Sequence, residues 1–395
     1  MFLKTIVMER KHWLDNIRWV TVLLVLFYHV IYFYNAKGVF GGIGGFYETQ
    51  PWDAIMSLLY PWFMLLLFLV AGISSRYALE KQTHKQFIKS RTLKLLVPAT
   101  IGLFVFQWMT GYFNTQVTAF VQGADLFADI PDEVPNGIKN IIKYFAYSLS
   151  GIGPLWFIQD LWLFSILLVL FRVIGKDWLY KWITKIEGRY AEYNMPFIAV
   201  VVAVGLVLLT LGSFCVFLHP RPETADGLWN LYRPVTYFVA FLLGYYLFSR
   251  ESIQEMLAKG RIAYLVFAVI LGVYFTVIMY GKNDTAPEVL SGLPCVLYAW
   301  FAILAMLSCF KAWADKTSPF ANYMTKSSFG IYVVHYLVIA SLGYMMKMYT
   351  TLPPWAMYLI LAVAVFTLSP LIYEIIRRIP FLRWCVLGIS RKKDK

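Results

Sequence analysis

Three ionisable side chains lie deep inside apolar segments of this chain: His29, Asp160 and His335, each on a different segment. An ionisable group at membrane depth costs at least ~2.5–3.5 kcal/mol on insertion scales, so such groups usually face a cavity, a partner or a reacting molecule. An imidazole titrates near neutral pH and is therefore suited to proton transfer. These three residues form the candidate catalytic set.

Arg18 and His29 share one face of the first apolar segment. Position 29 is eleven residues beyond position 18, and eleven helical steps of about 100° return to within roughly 20° of the starting direction with a rise of about 16 Å. One helix face thus carries a cation at the membrane edge and an imidazole near the middle. Each of the other two residues has a structural alternative. His335 could be a histidine whose hydrogen bond is satisfied by a neighbouring carbonyl, and Asp160 could be a carboxylate that only orients a histidine.

Two further cations, Arg91 and Lys94, precede the third apolar run at a spacing of three residues, on neighbouring helix faces. Arginine binds phosphate through paired N–H groups, and lysine binds it as a point charge. A lipid-headgroup anchor is the alternative for this basic loop. With Arg18, these residues predict a phosphate site at one membrane edge, about 16 Å from His29. Coenzyme A, whose phosphates carry an extended arm ending in a thioester, fits this spacing.

Composition identifies an integral membrane protein. Of the 395 residues, 60% are hydrophobic and only 14% are charged, against roughly 25% charged in soluble domains. Apolar runs long enough to cross about 30 Å of hydrocarbon recur throughout the chain. They predict an all-α, polytopic fold of ten spans in a single membrane domain without an appended soluble domain: about 14–34, 54–75, 95–112, 154–174, 196–218, 232–249, 262–280, 292–311, 327–346 and 355–376.

The net charge of +13 follows the membrane topology. With the N-terminus inside, the ten-span arrangement places 28 of the 35 Lys and Arg residues on the cytoplasmic side and 7 outside, as the positive-inside rule requires. Both termini are then cytoplasmic. The basic balance reflects topology and attraction to anionic lipid, and nucleic-acid binding is not needed to explain it.

Other sequence features predict structure more than chemistry. The segment Gly41-Gly42-Ile43-Gly44-Gly45 lacks the Lys-Ser/Thr of a phosphate-binding loop and indicates a flexible outer turn. The long outer loop, about 113–153, predicts an interfacial or short helical segment broken at Pro131 and Pro135. The four cysteines have no metal-type spacing, and we expect no metal. They are expected to be buried small residues, with a disulfide between Cys215 and Cys295 as the alternative.

Several short motifs occur in the order typical of one membrane protein family. The first segment carries a basic residue, ten residues and then a histidine, at Arg18 and His29. Further matches are Phe-Leu-Val-Ala-Gly-Ile at 68–73, Arg-Thr-Leu-Lys at 91–94, Gly-Pro-Leu-Trp-Phe-Ile at 153–158 and Ser-Phe-Gly-Ile-Tyr-Val-Val-His at 328–335. Over most of its length the chain resembles the type-3 membrane acyltransferases. It departs from their pattern at Lys94, where the family motif has a second arginine.

The resemblance implies a ten-helix enzyme that uses cytoplasmic acyl-CoA to acylate an extracytoplasmic hydroxyl. We expect a multi-pass, bacterial plasma-membrane O-acetyltransferase with acetyl-CoA as donor and a cell-envelope glycan as acceptor. In this interpretation His29 either takes the proton from the acceptor hydroxyl or is transiently acylated. Arg18, Arg91 and Lys94 hold the donor phosphates. Asp160 and His335 provide polar support.

Two other classes of protein are compatible with the same residues. In a proton-coupled transporter or flippase, the intramembrane His and Asp residues would form a relay. Such proteins frequently show internal repeats and helices broken at mid-membrane, and neither is visible in this sequence. In a sensing or scaffold protein the polar residues would be structural, and the protein would neither bind coenzyme A nor turn over.

Overall fold

The computed structural model describes residues 10–34, 48–122, 127–175, 177–190, 194–218 and 233–389. Within these ranges all regular structure is helical and there is no β-strand, which confirms the all-α prediction. The glycine-rich segment at 41–45 and the basic tail at 391–395 lie outside the described residues.

The helices are α1 (His12–Phe33), α2 (Ala54–Leu59), α3 (Phe63–Lys81), α4 (His84–Arg91), α5 (Val97–Gly102), α6 (Trp108–Gln122), α7 (Asn136–Ser150), α8 (Trp156–Gly175), α9 (Trp178–Tyr190), α10 (Asn194–Phe214), α11 (Pro234–Leu243), α12 (Glu251–Lys259), α13 (Arg261–Met279), α14 (Pro287–Ser291), α15 (Leu293–Trp313), α16 (Pro319–Tyr349), α17 (Pro354–Arg378) and α18 (Pro380–Leu387).

In the described part of the chain, nine helical segments are long and apolar enough to cross a membrane. They confirm a polytopic membrane protein. Each corresponds to a predicted span: His12–Phe33, Pro51–Lys81, His84–Val117, Gly153–Gly175, Phe197–Phe214, Arg261–Met279, Leu293–Trp313, Pro319–Tyr349 and Pro354–Arg378.

The sixth predicted span, 232–249, is shorter in the structure than the sequence suggested. The helical segment Pro234–Phe248 covers it, and it falls below the length of the other nine. It begins with a proline in the first turn, a position that needs no N–H donor, and it is followed by Arg250. At 1.5 Å per residue, its length of about 22 Å is less than the roughly 30 Å hydrocarbon thickness.

The third span is longer than the predicted 95–112. Helical structure runs without a break from His84 through α4, α5 and α6, because the charged residues before the apolar run continue the same helix. Two π-helical turns, Thr92–Leu96 and Leu103–Gln107, interrupt its α-helical pattern. Pro98 explains the first of them, since proline has no N–H to donate to the carbonyl four residues earlier. Insertions of this kind are frequent at functional sites.

The long outer loop contains the helical segment that its sequence predicted. Helix α7 begins directly after Pro135 and packs along α6. The two backbones approach so closely that a Cβ at Gly111 would lie 1.7 Å from the carbonyl oxygen of Tyr147. The chain then turns into α8 beside α16, where the Tyr332 hydroxyl donates to the carbonyl of Pro154. Helix α8 therefore starts next to Tyr332, and this contact decides the depth of Asp160.

Helix α1 packs against α3, α15, α16 and α17. Its contact with α16 is close, because a Cβ at Gly343 would lie 2.1 Å from Cε1 of Phe33. Small residues permit this kind of helix approach in membrane proteins. The four cysteines are free thiols, and Cys215 and Cys295 are not joined.

Candidate active site

Helices α1 and α16 bring two of the predicted site residues into contact. Nε2 of His335 lies 3.1 Å from Nδ1 of His29, and the ring centroids are 5.1 Å apart. His335 is fully buried, whereas His29 is partly exposed. The histidine pair, His29 and His335, therefore has one member enclosed by protein and one that a reacting molecule can reach.

The backbone of α16 determines which nitrogen of each ring carries a proton. The carbonyl oxygen of Tyr332 lies 2.5 Å from Nδ1 of His335. Because a carbonyl can only accept, Nδ1 of His335 is the donor and its Nε2, in the neutral ring, is an acceptor. His29 must then donate from Nδ1 to that acceptor. The lone pair of a neutral His29 consequently lies on Nε2, the nitrogen that points away from its partner.

Tyrosine rings surround the histidine pair. The ring centroids of Tyr28, Tyr32 and Tyr336 lie 5.5, 6.0 and 5.5 Å from that of His29. Tyr28 also stacks on Tyr60, with centroids 5.9 Å apart. Tyr32 and Tyr60 are half-buried. Aromatic rings with a polar tip provide rigid contact area together with hydrogen-bonding groups, which suits a hydroxyl-bearing ligand.

Two of the predicted phosphate-binding cations, Arg18 and Arg91, meet in the C-terminal half of α3. Nη2 of Arg18 donates to the Ser74 hydroxyl at 2.8 Å, and Nη2 of Arg91 donates to the Ser75 hydroxyl at 3.0 Å. Each serine in turn donates to the carbonyl four residues earlier on α3. Two adjacent serines thereby fix guanidinium groups that come from α1 and α4. We call Arg18, Arg91 and Lys94, with these two serines, the cation cluster.

The cation cluster has an excess of positive charge. Arg18 and Arg91 repel each other, and both repel Lys94. Among the described residues, one carboxylate is paired with the cluster: Asp15, whose Oδ1 lies 3.2 Å from Nη1 of Arg18. Arg10 also pairs with Asp15, at 2.8 Å. Lys94 is exposed and the Arg18 side chain is 39% exposed, so an anion can reach the cluster from outside.

Side chains beyond the cation cluster hold this part of α3 in place. Arg76, which follows the two serines, stacks over the Tyr180 ring at 3.6 Å and donates to the Tyr245 hydroxyl at 3.3 Å. Its guanidinium also lies 3.7 Å from Asp177. These contacts join α3 to α9 and to the segment after α11. The serines are therefore presented from an anchored turn.

Asp160 lies on α8 and touches neither histidine through a hydrogen bond in the described structure. Its neighbour Gln159 contacts the carbonyl of Ala99, and Trp162 donates to Thr92, next to Arg91. Helix α8 starts beside Tyr332, within the helix bundle. Along α8, Asp160 thus lies between the contact of Pro154 with Tyr332 and the contact of Trp162 with Thr92.

The structure assigns contacts to residues that sequence analysis did not single out. Ser74 and Ser75 follow directly after an apolar run at 63–73. This change from apolar to polar residues is the sequence feature that could have identified them as candidate site residues. Tyr332 lies in the quoted motif at 328–335, but its carbonyl contact with His335 depends on side-chain orientation. Among the described residues, no group of three or more His, Cys, Asp or Glu side chains could hold a metal ion.

Comparison with known protein families identifies one that matches this chain. A family model described as an acyltransferase domain, of the acyltransferase 3 family, matches residues 11–374. This range contains the histidine pair, the cation cluster and Asp160. No curated protein and no solved structure matches the sequence.

Proposed function

The chain belongs to the acyltransferase 3 family, and on that premise we propose that it moves an acetyl group from cytoplasmic acetyl-CoA to a hydroxyl of an extracytoplasmic cell-envelope glycan. The observation that carries the proposal is the arrangement on α1. Arg18 belongs to the cation cluster, and His29, eleven residues further on, belongs to the histidine pair. A continuous helix places the two about 16 Å apart.

The donor would bind with its phosphates at the cation cluster. Charge-assisted hydrogen bonds from guanidinium groups are among the stronger contacts available to phosphate. The pantetheine arm would then run along α1 and bring the thioester to His29. The positive-inside distribution of Lys and Arg supports a cytoplasmic position for the cluster, where coenzyme A is available. The same distribution supports a multi-pass membrane protein with this orientation, and we propose that the membrane is the bacterial plasma membrane.

The lone pair on Nε2 of His29 can serve two routes. In the first, it takes the proton as the acceptor hydroxyl attacks the thioester carbonyl; the C–S bond breaks and the proton passes to the departing thiolate. In the second, Nε2 attacks the carbonyl, the C–S bond breaks and coenzyme A leaves as the thiolate; the acceptor hydroxyl then displaces the acyl group from the imidazolium, and its proton passes to the thiolate. Both routes yield an ester and free coenzyme A. Both require the tautomer that His335 imposes.

The acceptor would approach from the side opposite the cation cluster. The half-buried tyrosines around His29 support a hydroxyl-bearing molecule such as a sugar. Family membership favours an acyltransferase over the transporter and scaffold alternatives. Those alternatives do not explain why a cation of the phosphate-type site and His29 share one face of α1.

Transfer in reconstituted vesicles tests the proposal. With acetyl-labelled acetyl-CoA supplied on the Arg91 side, we expect alkali-labile label in glycan fragments, because an O-acetyl ester is cleaved by mild base. Mass spectrometry of envelope glycans from cells with and without the gene identifies the natural acceptor. Absence of labelled ester with every acyl-CoA offered, together with an unchanged glycan profile, would contradict the proposed function.

Replacement of His335 tests the tautomer assignment. We expect His335→Leu to lower kcat by roughly ten- to a hundredfold, since His29 then loses the acceptor that keeps its proton on Nδ1. His335→Gln, whose side-chain oxygen can accept from His29, should recover much of this loss. The KM for acetyl-CoA should stay unchanged in both variants. Equal activity of the leucine and glutamine variants, or a changed donor KM, would show that His335 does not act through His29.

A further inference from the structure

Asp160 is a buried carboxyl group whose two oxygens have no hydrogen-bond partner in the described structure. The residue is completely inaccessible to solvent. Unpaired buried polar groups are rare because each one forfeits its hydration, at a cost of about 1–3 kcal/mol. A group retained at that cost within the site is a candidate for binding a ligand atom.

Contacts on either side of Asp160 along α8 lead to the two halves of the site. Two residues further along α8, the Trp162 indole donates to the Thr92 hydroxyl at 3.0 Å, and Thr92 adjoins Arg91 of the cation cluster. Six residues before Asp160, or about 9 Å along the helix, the Pro154 carbonyl accepts from Tyr332. Tyr332 is also the residue whose carbonyl holds His335. Asp160 interacts electrostatically with Tyr332.

A donor that extends from the cation cluster to the histidine pair must pass this depth. Between its phosphates and its thioester, coenzyme A carries a pantetheine arm with two secondary amides. An amide offers an N–H donor and a carbonyl acceptor, so it can pair with a carboxyl group that is either ionised or protonated. No other charged residue lies on α8 between Trp156 and Phe171.

We propose that Asp160 hydrogen bonds an amide of the donor's pantetheine arm and so holds the thioester at the depth of His29. The inference rests on the proposed acyl-CoA donor and extends it with a binding residue for the arm. Asp160 is thus a positioning residue for the donor. Its side chain contacts the pantetheine arm, which is the part of the ligand that the cation cluster does not contact.

Two ligands distinguish binding through the pantetheine arm from binding through the phosphates. Coenzyme A has the whole arm, whereas adenosine 3′,5′-bisphosphate has phosphates and no arm. We expect Asp160→Leu to weaken binding of coenzyme A by roughly tenfold or more while binding of the bisphosphate is unchanged. Asp160→Asn, which keeps an acceptor and a donor in the same shape, should remain within about threefold of wild type. Calorimetry on the purified full-length protein gives both affinities.

Ser165→Ala is the matched control. Ser165 is also buried on α8, but its hydroxyl donates to the Leu161 carbonyl of its own helix. We expect both ligands to bind this variant as they bind wild type. Should the leucine variant fail to insert, Asp160→Ala provides the same comparison with a smaller side chain.

Three outcomes would overturn the inference. Equal weakening of both ligands by Asp160→Leu would show general damage to the site. An unchanged coenzyme A affinity would show that the arm does not meet Asp160. Loss of turnover in Asp160→Asn with coenzyme A binding intact would assign the carboxyl group to proton transfer instead. Failure of wild-type protein to bind coenzyme A at all is a separate result, which contradicts the proposed donor itself.

Discussion

Replacing His29 by alanine is expected to abolish acyl transfer while the protein remains inserted and folded. Proton transfer by a positioned side chain is worth about 10²–10⁴ in rate, and a lost nucleophile costs at least as much. Because His29 is partly exposed and packs mainly through ring contacts, its truncation leaves the α1–α16 contact at Gly343 in place. Transfer of labelled acetyl groups to a defined acceptor measures the loss.

Two further variants make the result specific. His29→Gln keeps a polar side chain but has neither proton chemistry nor nucleophilicity, so we expect it to be as inactive as His29→Ala. His84→Ala removes a histidine at the start of α4, away from the site, and should retain wild-type activity. Transfer near the wild-type rate by either His29 variant would disprove the role of this residue. Recovery of labelled acetyl-imidazole from wild type, after acceptor is withheld, would select the covalent route.

Neutralising Arg18 and Arg91 together is expected to impair donor binding severely. A charge-assisted hydrogen bond to phosphate is worth roughly 1.5–3 kcal/mol, so each single change should raise the KM for acetyl-CoA about ten- to a hundredfold. Since both guanidinium groups bind adjacent serines of one helix turn, the double variant Arg18→Gln with Arg91→Gln tests the cluster as a unit. The KM for the acceptor should change little. Initial rates at varied donor and acceptor concentrations give both constants.

Lys89→Gln is the charge control for this experiment, because Lys89 is an exposed cation on α4 that is not part of the cluster. It should leave the acetyl-CoA titration unchanged. If the double variant also shows a wild-type titration, the donor assignment of the cluster is wrong.

The Lys94→Arg variant tests whether Lys94, the exposed third cation of the cluster, contacts a donor phosphate. A guanidinium can bind phosphate bidentately, whereas an ammonium group acts as a point charge. If Lys94 contacts a donor phosphate, the arginine variant should bind acetyl-CoA at least as tightly as wild type, and Lys94→Gln should bind it less tightly. If both variants bind donor as wild type does, Lys94 only marks the membrane edge.

The class of fold and part of the candidate site could be predicted from the sequence. Spans were readable because an apolar helix must be about 20 residues long to cross a membrane, and this requirement is local. The face shared by Arg18 and His29 was readable for a similar reason, since helical periodicity fixes the relative direction of residues on one helix. The cations at 91 and 94 could be singled out because they immediately precede an apolar run of the sequence.

Contacts between helices could not be predicted from the sequence, because they depend on how the helices pack. No local pattern indicates that His335 meets His29, since the contact depends on how α16 lies against α1. The serines that hold Arg18 and Arg91 lie on a third helix, and the carbonyl of Tyr332 fixes the tautomer through side-chain orientation. The surroundings of Asp160 depend on where α8 starts, and the contact of Pro154 with Tyr332 sets that position. A span's sequence gives its length, but its starting depth is set by the neighbours against which it packs.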